Sequence, residues 1–505
     1  MSGCRCLSVV AVVCVGLLWA SAASAGGYEY PDGGVVAVGR GGAFAAKADD
    51  LSAIYFNPAG LAGQKGTRLL FTTNLARQAI TFTRAGTDPS GGPFPAVSNS
   101  VGFFTGDAHI GAPIFGVSSD FGLKDITFAL GVHAPPAYGA TRYPKDGPQR
   151  FALIDMDAAL VFYDLSIGWR AHPRLDLGVS LQLGHMLKTK MSQAVNAWFA
   201  EGSGPSAGYD TIVHLKFDPG FSLGMLLGAI YRPPVKGLTI GLAIRPFPIH
   251  FELAGTVTPE YPGSFLARQA EKGRVYLTTG NVFMKQDLPV MGRLGVRYAY
   301  TRNEDEVFDV EGDLVYEAWS VVDALTIRFG GQMAIGQDAG PDYMKPLQPV
   351  TVPRDWKDTV SVRVGGDYHV LQARGMKPGL TVRLGTFYES PAVPEESTNL
   401  DFLSFHRVGV GTGFSFSWYA FDLALAYSHI FQLARDVSKS SLVVQMPMSP
   451  CQPPYSDPKT CASVGVPPGP EVGQGRYESG FDVISVGLSV RFDRFFHKDE
   501  PVSVN

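Results

Sequence analysis

Residues 419–431 decide the fold; they read Tyr-Ala-Phe-Asp-Leu-Ala-Leu-Ala-Tyr-Ser-His-Ile-Phe. Every second residue from Tyr419 to Phe431 is apolar, aromatic or histidine, whereas the residues between them are mostly small or polar. This period of two is that of a β-strand with two different faces. The larger face has aromatic residues near both ends and leucines between them, which is typical of strands in a transmembrane β-barrel. The small residues of the other face are those expected on the inner surface of such a barrel, where space is limited. A soluble β-sandwich is the alternative, although its strands are usually shorter, about five or six residues.

The same alternation recurs along the chain, most clearly in Val360–Val370, Leu380–Tyr388 and Ile484–Phe492. The candidate strands are 67–84, 103–118, 125–138, 150–170, 175–191, 212–232, 237–256, 273–284, 288–301, 306–318, 359–372, 378–389, 404–417, 419–435 and 481–492. The segments 273–284 and 288–301 flank Pro289 and are interpreted as one bent strand, which leaves fourteen strands. Bacterial single-chain barrels have an even number of strands. We therefore predict an all-β fold, a 14-stranded antiparallel transmembrane β-barrel over residues 67–493. A short helix is expected in an outer loop at Pro262–Lys272.

Composition excludes several other classes of protein. The 505 residues contain 59 glycines, 17% charged and 11% aromatic residues, whereas an average soluble protein has about 7% glycine and about a quarter charged residues. This profile excludes a disordered chain and a coiled coil. The mean hydropathy of +0.07 is too low for a polytopic helical membrane protein. The net charge of −4 provides no basic field that would indicate a nucleic-acid partner.

The first 25 residues have the features of a secretory signal peptide. Arg5 precedes an apolar run at Leu7–Ala20, and small residues at 21–25 form a cleavage site. The run is too short for a membrane span, which needs about 20 residues. Export leaves Cys451 and Cys461, a close pair that predicts a disulfide in a surface loop. No metal site or cofactor is expected, because no histidine or further cysteine lies near this pair.

Residues 26–66 do not alternate and are rich in glycine and alanine, so we expect a compact segment that fits a confined space. The segment contains Gly-Arg-Gly-Gly-Ala-Phe-Ala-Ala-Lys-Ala-Asp-Asp at 39–50, followed by Asn-Pro-Ala at 57–59. Ala43–Ile54 is predicted as a short helix, with Asn57-Pro58 ending it or starting a turn.

These motifs resemble the N-terminal hatch of FadL-type outer-membrane transporters. The resemblance continues in Trp356-Lys357-Asp358-Thr359 at the start of a strand, in Leu384-Gly-Thr-Phe-Tyr-Glu-Ser-Pro391 at the end of the next, and in His406-Arg407. It implies a barrel that is plugged by residues 26–66. It also implies passive uptake of hydrophobic small molecules, such as long-chain fatty acids or aromatic hydrocarbons, across the bacterial outer membrane. The expected tail at 494–505 departs from the family, whose barrels usually end in an aromatic residue.

The resemblance further implies where substrate passes. It would bind at an apolar groove in the outer loops, then in a pocket next to the hatch, and leave sideways at a kink in the third strand. Our candidates for pocket contacts are Tyr28, Tyr30, Phe44, Ile54, Tyr55 and Phe56, whose alternative role is packing against the barrel. The hatch motif comprises Asp49, Asp50, Asn57, Pro58 and Ala59. Pro135-Pro136 interrupt the third strand, because proline donates no ladder hydrogen bond, and either mark a wall opening or start a loop.

Arginines recur on the predicted lumen face; they are Arg245, Arg293, Arg297, Arg363, Arg383 and Arg491. Our hypothesis is that some of them face the hatch carboxylates Asp49 and Asp50. Arg293, Arg363 and Arg383 are the candidates for contact with a substrate carboxylate, since a guanidinium pairs bidentately with that group. The alternative is pairing with barrel acids such as Asp367 and Asp422.

Other functions fit less well. The Gly-x-Ser-x-Gly pattern at 220–224 continues as a strand where a nucleophile elbow needs a helix, so we expect no enzyme. A structural or adhesive barrel that displays the disulfide-closed loop 436–480 is the rival hypothesis, and a polar-solute porin would need no plug. The expected partners are a hydrophobic substrate, outer-membrane lipid and lipopolysaccharide. The protein itself is expected to be a monomer. The last strand ends at Phe492 or runs on to Phe495-Phe496.

Overall fold

The computed structural model describes residues 33–99, 112–135, 140–196, 210–335, 343–347, 349–444 and 471–496. The strands in these ranges are β1 (Thr67–Arg84), β2 (Val97–Ser98), β3 (Ala112–Ser119), β4 (Ile126–His133), β5 (Ala140–Arg142), β6 (Asp155–His172), β7 (Leu175–Asn196), β8 (Asp210–Phe217), β9 (Gly220–Tyr231), β10 (Leu238–Arg245), β11 (Ile249–Glu260), β12 (Val275–Leu277), β13 (Asn281–Leu288), β14 (Met291–Arg302), β15 (Asp305–Glu317), β16 (Ala324–Phe329), β17 (Gln332–Ile335), β18 (Tyr343–Pro346), β19 (Val350–Pro353), β20 (Thr359–Leu371), β21 (Gly379–Glu389), β22 (Arg407–Trp418), β23 (Phe421–Gln432), β24 (Arg435–Val437) and β25 (Gly475–Arg491). The helices are α1 (Val35–Gly39), α2 (Ala53–Phe56), α3 (Ser264–Glu271) and α4 (Asp493–Phe496), with 3₁₀ turns at Pro58–Gly63 and Trp319–Val321. In these ranges no helix is long and apolar enough to cross a membrane.

Fourteen strands form a closed antiparallel barrel, which confirms the predicted fold class. Each pairs with two neighbours, in the order β1, β3, β4, β6, β7, β9, β10, β14, β15, β20, β21, β22, β23 and β25. The last strand returns to the first in a ladder from Arg68–Arg491 to Arg84–Gly475. Closure leaves the wall without an edge strand, as a spanning sheet requires in lipid.

The alternation of the sequence places large apolar side chains on the outside of the wall. On β23 the exposed residues include Leu423, Leu425, Tyr427 and Phe431, whereas Ala426 faces inward and is buried. Leucines and aromatic residues are exposed in the same way on most of the other wall strands. An apolar surface that continues around the barrel is far larger than a soluble monomer exposes, and it suits contact with lipid.

The two mouths of the barrel differ in their connections. At one mouth neighbouring strands are joined by short turns, such as Asn303-Glu304 between β14 and β15. At the other mouth, long connections contain the remaining strands. Because such barrels have short periplasmic turns and longer extracellular loops, this second mouth is the extracellular one. Here β8, β11, β13, β16 and β19 extend a sheet from the far half of β7. We call this group the outer sheet.

The outer sheet corrects three of the predicted strands. The segment 212–232 is two strands, β8 and β9, which are separated at Asp218-Pro219, and 237–256 divides into β10 and β11 around Pro246 and Pro248. The segment 273–284 is not the first half of a bent wall strand. Its residues from Asn281 belong to β13, which pairs with β11 and β16. The total of fourteen was therefore correct, although one assignment behind it was wrong. The predicted outer-loop helix is confirmed as α3.

The end of the barrel distinguishes the two alternatives that the sequence left open for the last strand. The last strand does not run on to Phe495-Phe496, because β25 ends at Arg491 and the chain turns into α4. The Phe495 ring lies 5.7 Å from the ring of Tyr419 and 5.8 Å from that of Phe421. Aromatic packing at the periplasmic rim thus holds the turn against the wall.

Residues 33–66 lie inside the barrel, and we call them the inner segment. Glycines from ten wall strands let it approach closely, because a Cβ at each would come within 3.0 Å of an atom of the inner segment. These glycines are Gly131, Gly168, Gly178, Gly228, Gly241, Gly295, Gly365, Gly385, Gly411 and Gly487. The high glycine content thus has a steric cause. Above the inner segment, a buried apolar cluster that includes Phe162, Phe251, Trp319 and Phe405 fills the outer part of the barrel.

We predict that Gly241→Ala loosens the inner segment. A Cβ at Gly241 would lie 2.2 Å from the carbonyl oxygen of Ala45, and overpacking of this kind costs about 1–3 kcal/mol. The ion conductance of single barrels in planar bilayers should therefore rise. The matched control is Gly312→Ala on β15, whose Cβ would meet only the Arg363 carbonyl oxygen, at 3.9 Å. Equal conductance in the two variants would contradict the steric argument.

Candidate functional site

Three carboxylates on β15 bind the inner segment. Asp309, Glu311 and Asp313 are spaced by two residues, so their side chains share the lumen face of the strand. All three are buried. A buried carboxylate is stable only when charges and hydrogen-bond donors surround it, and here the inner segment provides both.

Arg40 of the inner segment is fully buried among these acids. Its Nη1 lies 2.6 Å from Asp309 Oδ1 and 2.8 Å from Asp367 Oδ1, and its Nη2 lies 3.1 Å from Glu311 Oε2. Its Nε donates to the carbonyl oxygen of Ala43 at 2.9 Å. Lys47 adds a second cation, with Nζ 2.9 Å from Asp309 Oδ2. Two cations of the inner segment thus meet carboxylates of the wall.

Backbone amides complete the contact. The N–H groups of Phe44 and Ala45 donate to Asp313 Oδ2 at 2.8 and 2.9 Å. The N–H group of Ala46 donates to Glu311 Oε1 at 2.6 Å. These amides hold the inner segment against the wall. The predicted helix at Ala43–Ile54 was wrong: Ala48 has a positive φ of 32°, which a right-handed helix does not allow, and helical structure within residues 33–66 is limited to α1, α2 and the 3₁₀ turn at Pro58–Gly63.

The Asn57-Pro58-Ala59 motif forms a tight turn against the wall. The buried Asn57 side chain donates from Nδ2 to the carbonyl oxygen of Ala45 at 2.8 Å and to that of Ala229 on β9 at 3.2 Å. Its Oδ1 accepts from the Ala59 N–H at 3.2 Å, and Pro58 begins the 3₁₀ turn. This motif thus links two parts of the inner segment to a barrel strand.

The two hatch carboxylates have local partners. Asp49 is exposed and lies 3.2 Å from Lys47 Nζ. Asp50 Oδ1 accepts hydrogen bonds from the backbone N–H and the hydroxyl of Ser52. Within the described ranges neither carboxylate is hydrogen-bonded to a lumen arginine, although Asp49 interacts electrostatically with Arg297 and Asp50 with Arg383. That lumen arginines face these two carboxylates stays a prediction.

Four of the six lumen arginines pair with barrel acids, which was the alternative. The pairs are Arg297–Asp309, Arg363–Glu389, Arg383–Asp367 and Arg491–Asp422. Arg245 donates to the carbonyl oxygen of Pro289 at 3.4 Å. Arg293 has a different partner, because its Nη1 donates to the carbonyl oxygen of Tyr55 at 2.7 Å. Its guanidinium also lies over the rings of Tyr55 and Phe56, at 4.9 and 5.2 Å.

The predicted apolar contacts of the inner segment come together in one buried cluster. Phe44, Ile54, Tyr55 and Phe56 are all buried there. The rings of Phe44 and Phe56 meet edge to face at 5.4 Å, and those of Tyr55 and Phe56 at 4.9 Å. Tyr28, Tyr30, Pro136, Cys451 and Cys461 lie outside the described residues. In the described ranges no group of three or more His, Cys, Asp or Glu residues is arranged to hold a metal ion.

The wall ladder is interrupted next to Pro135. Among the described residues, the last pair of β4 with β6 is His133–Phe162, and the next pair on this side of β6 is Ala140–Asp157. His133 was not among the predicted site residues. Its Nδ1 lies 2.6 Å from Asp164 Oδ2, and its ring meets that of Tyr55 at 5.2 Å. The position of this histidine just before two prolines was the sequence signal that could have identified it.

An apolar cavity of about 40 Å³ lies within the outer sheet. Its lining residues include Val195, Leu215, Val257, Ile327 and Val350 of the outer sheet, and Leu277 of β12 and Met333 of β17 also contribute. The chain thus combines a closed 14-stranded barrel, an ion-paired segment inside it and an apolar cavity on its extracellular side. These features define a plugged outer-membrane β-barrel.

Comparison with known proteins identifies the family. The family model of the outer membrane protein transport proteins (OMPP1/FadL/TodX) matches residues 16–449, and the chain belongs to this family. It is therefore an outer-membrane transport protein and not an enzyme. No curated protein matches the sequence significantly.

Solved structures with the same fold have low sequence identity to this chain. A FadL homologue from Pseudomonas aeruginosa is 17% identical, with 92% of this chain and 100% of that chain covered and a TM-score of 0.68. The toluene transporter TbuX from Ralstonia pickettii is 14% identical, with 92% and 99% covered and a TM-score of 0.58. The toluene transporter TodX from Pseudomonas putida is 13% identical, with the same coverage and a TM-score of 0.59. The fold is thus retained although few residues are shared.

We predict that Arg40→Met releases the inner segment from β15. Three buried carboxylates would lose their shared cation, and removal of one partner of a buried ion pair costs about 3–5 kcal/mol. The free energy of unfolding, measured by urea titration of barrels in lipid vesicles, should fall accordingly. The control is Arg476→Met, which removes an exposed pair with Asp436 and should have little effect. A similar loss of unfolding free energy in both variants would contradict the argument that the buried ion pairs of Arg40 hold the inner segment on β15.

Proposed function

We propose that the protein takes up hydrophobic small molecules passively, with the inner segment as its hatch. The main support is the position of the inner segment. It closes the barrel while its apolar cluster packs against β3 and β4, next to the interruption at Pro135. A hydrophobic molecule that reaches this cluster would be separated from the membrane by the wall alone. This supports a route through the wall in preference to a route along the axis.

Each stage of this route has a candidate site. The apolar cavity of the outer sheet would take substrate first, because its lining is mostly apolar; at about 40 Å³ it would have to widen to hold an aromatic ring. Phe44, Ile54, Tyr55 and Phe56 would then form the contact surface beside the hatch, with Arg293 holding the backbone of Tyr55. Release would occur sideways at Pro135 and Pro136. The exposed apolar surface of the wall would contact membrane lipid, and the extracellular rim of the barrel would contact lipopolysaccharide.

Neutral hydrocarbons fit the lumen better than carboxylates. Arg363 and Arg383, which we had proposed for a substrate carboxylate, already bind Glu389 and Asp367. Of the three candidates, Arg293 is the one that instead binds backbone carbonyl groups. Two similar structures are named as toluene transporters, and another as a monoaromatic hydrocarbon channel. Small aromatic hydrocarbons are therefore the proposed substrates.

We predict that the double variant Pro135→Val, Pro136→Val slows uptake. Valine restores two backbone donors, so the strand would extend and narrow the wall opening. The measurement is the initial rate of toluene uptake by cells that carry the variant, which should fall several-fold. The matched control is Pro233→Val, Pro234→Val, an adjacent proline pair in the turn between β9 and β10. Unchanged uptake in the first variant would exclude release at this position.

We predict that Val257→Trp weakens the first binding step. Val257 lines the cavity of the outer sheet, so the larger ring would fill the space. Uptake should fall at low toluene concentration and recover at high concentration, which is a change in KM. Thr256→Trp is the control, because Thr256 faces the opposite side of β11 and is exposed. The cavity has no role in uptake if both variants give the same concentration dependence.

A further inference from the structure

His133 is a buried polar side chain in apolar surroundings. It lies at the last position of β4 that pairs with β6, directly opposite Phe162. Its ring stacks on that of Phe162, with centroids 4.9 Å apart and an interplanar angle of 15°. It also meets the ring of Tyr55 in a T-shaped arrangement, with centroids 5.2 Å apart. The imidazole thus lies between the inner segment and the wall.

Asp164 holds this ring in place. Its Oδ2 lies 2.6 Å from His133 Nδ1, and its Oδ1 accepts from Gln182 Nε2 at 3.1 Å and from the Ser180 hydroxyl at 3.4 Å. These partners are on β6 and β7, and they are all buried. A buried carboxylate with several donors is fixed in orientation. The Nδ1 contact therefore fixes the imidazole, and with it the end of β4.

The backbone holds this end of β4 on one side only. Beyond His133, the Ala134 N–H still donates to the Pro113 carbonyl oxygen at 3.0 Å, towards β3. Pro135 has no N–H, and the ladder with β6 has already ended at His133. On the β6 side, the His133 side chain with Asp164 and Phe162 takes the place of the missing backbone hydrogen bonds.

We propose that His133 is a positioning residue that couples the inner segment to the wall. While Tyr55 packs against the imidazole, the contact with Asp164 holds the end of β4 against β6. A hydrophobic molecule that displaces the Tyr55 ring removes one of the contacts that confine the imidazole, so the contact with Asp164 breaks more readily and the end of β4 then separates from β6. This inference rests on the proposed sideways release, to which it adds the residue that ties occupancy beside the hatch to the opening.

The test compares three variants by initial rates of toluene uptake in cells. His133→Phe keeps the ring but loses the Nδ1 contact, and Asp164→Leu removes the acceptor. Both should raise the rate at least threefold, because the end of β4 is then no longer held. Asp164→Asn keeps an acceptor oxygen for Nδ1–H and should stay within twofold of the wild type. Single-barrel ion conductance should be the same in all three, since the contacts between Arg40 and β15 are intact. A purely structural role would lower uptake or change the conductance.

A second measurement reports on β4 directly. A cysteine introduced by Ala134→Cys should react with a thiol reagent at least threefold faster when combined with His133→Phe. Oxidation of the pair Val132→Cys, Tyr163→Cys, which lie opposite each other on β4 and β6, should slow uptake reversibly. Unchanged labelling and uptake in His133→Phe would overturn the role of His133, whether or not the proline variant slows uptake. If only the proline variant leaves uptake unchanged, the sideways route is overturned. The rate of thiol labelling at position 134 then still tests whether His133 holds the end of β4.

Discussion

The carboxylates on β15 are the constraint on which the structure inside the barrel depends. Asp309, Glu311 and Asp313 would be unstable within a lumen without partners. The inner segment supplies two cations and a series of amide donors to them. Because the acids belong to one strand, they fix both the depth and the rotation of the segment within the barrel. The approach to the glycines of the other strands follows from that placement.

The inner segment contacts the wall in different ways on its two sides. On the side of β15 the contact is ionic and fully buried, whereas on the side of β3 and β4 it is apolar. A hydrophobic molecule can replace an apolar contact more easily than a buried ion pair, because no charge is left without a partner. The segment is thus fixed on one side and open to exchange on the other, next to the interrupted ladder. This asymmetry explains how a plug can stay in place while the path beside it changes.

Much of the wall was predictable from the sequence, because a strand with one face in lipid alternates strictly. The segments around Tyr427 and Leu384 were assigned correctly for this reason. Alternation fails where strands leave the membrane, so β8, β11 and β13 were merged with wall strands across prolines. Contacts between distant residues were not predictable: Arg40 stood within the quoted motif, but no local pattern links it to Asp309. Nor does a polar lumen face show which arginines meet an acid of the wall and which, like Arg293, meet a backbone carbonyl group.

The ten glycines that receive the inner segment also limit how such proteins can be recombined. At each glycine an atom of the segment occupies the space that a side chain would need. Examples are the carbonyl oxygen of Val38 at Gly411 and the side chain of Ile54 at Gly131. The wall and the segment therefore form a matched pair of surfaces, and any side chain larger than hydrogen at one of these wall positions would meet the segment. Transplanting the segment of a distant relative into this barrel would combine two surfaces that were not shaped together. Chimeras in this family should be built by exchanging loops, which carry no such imprint.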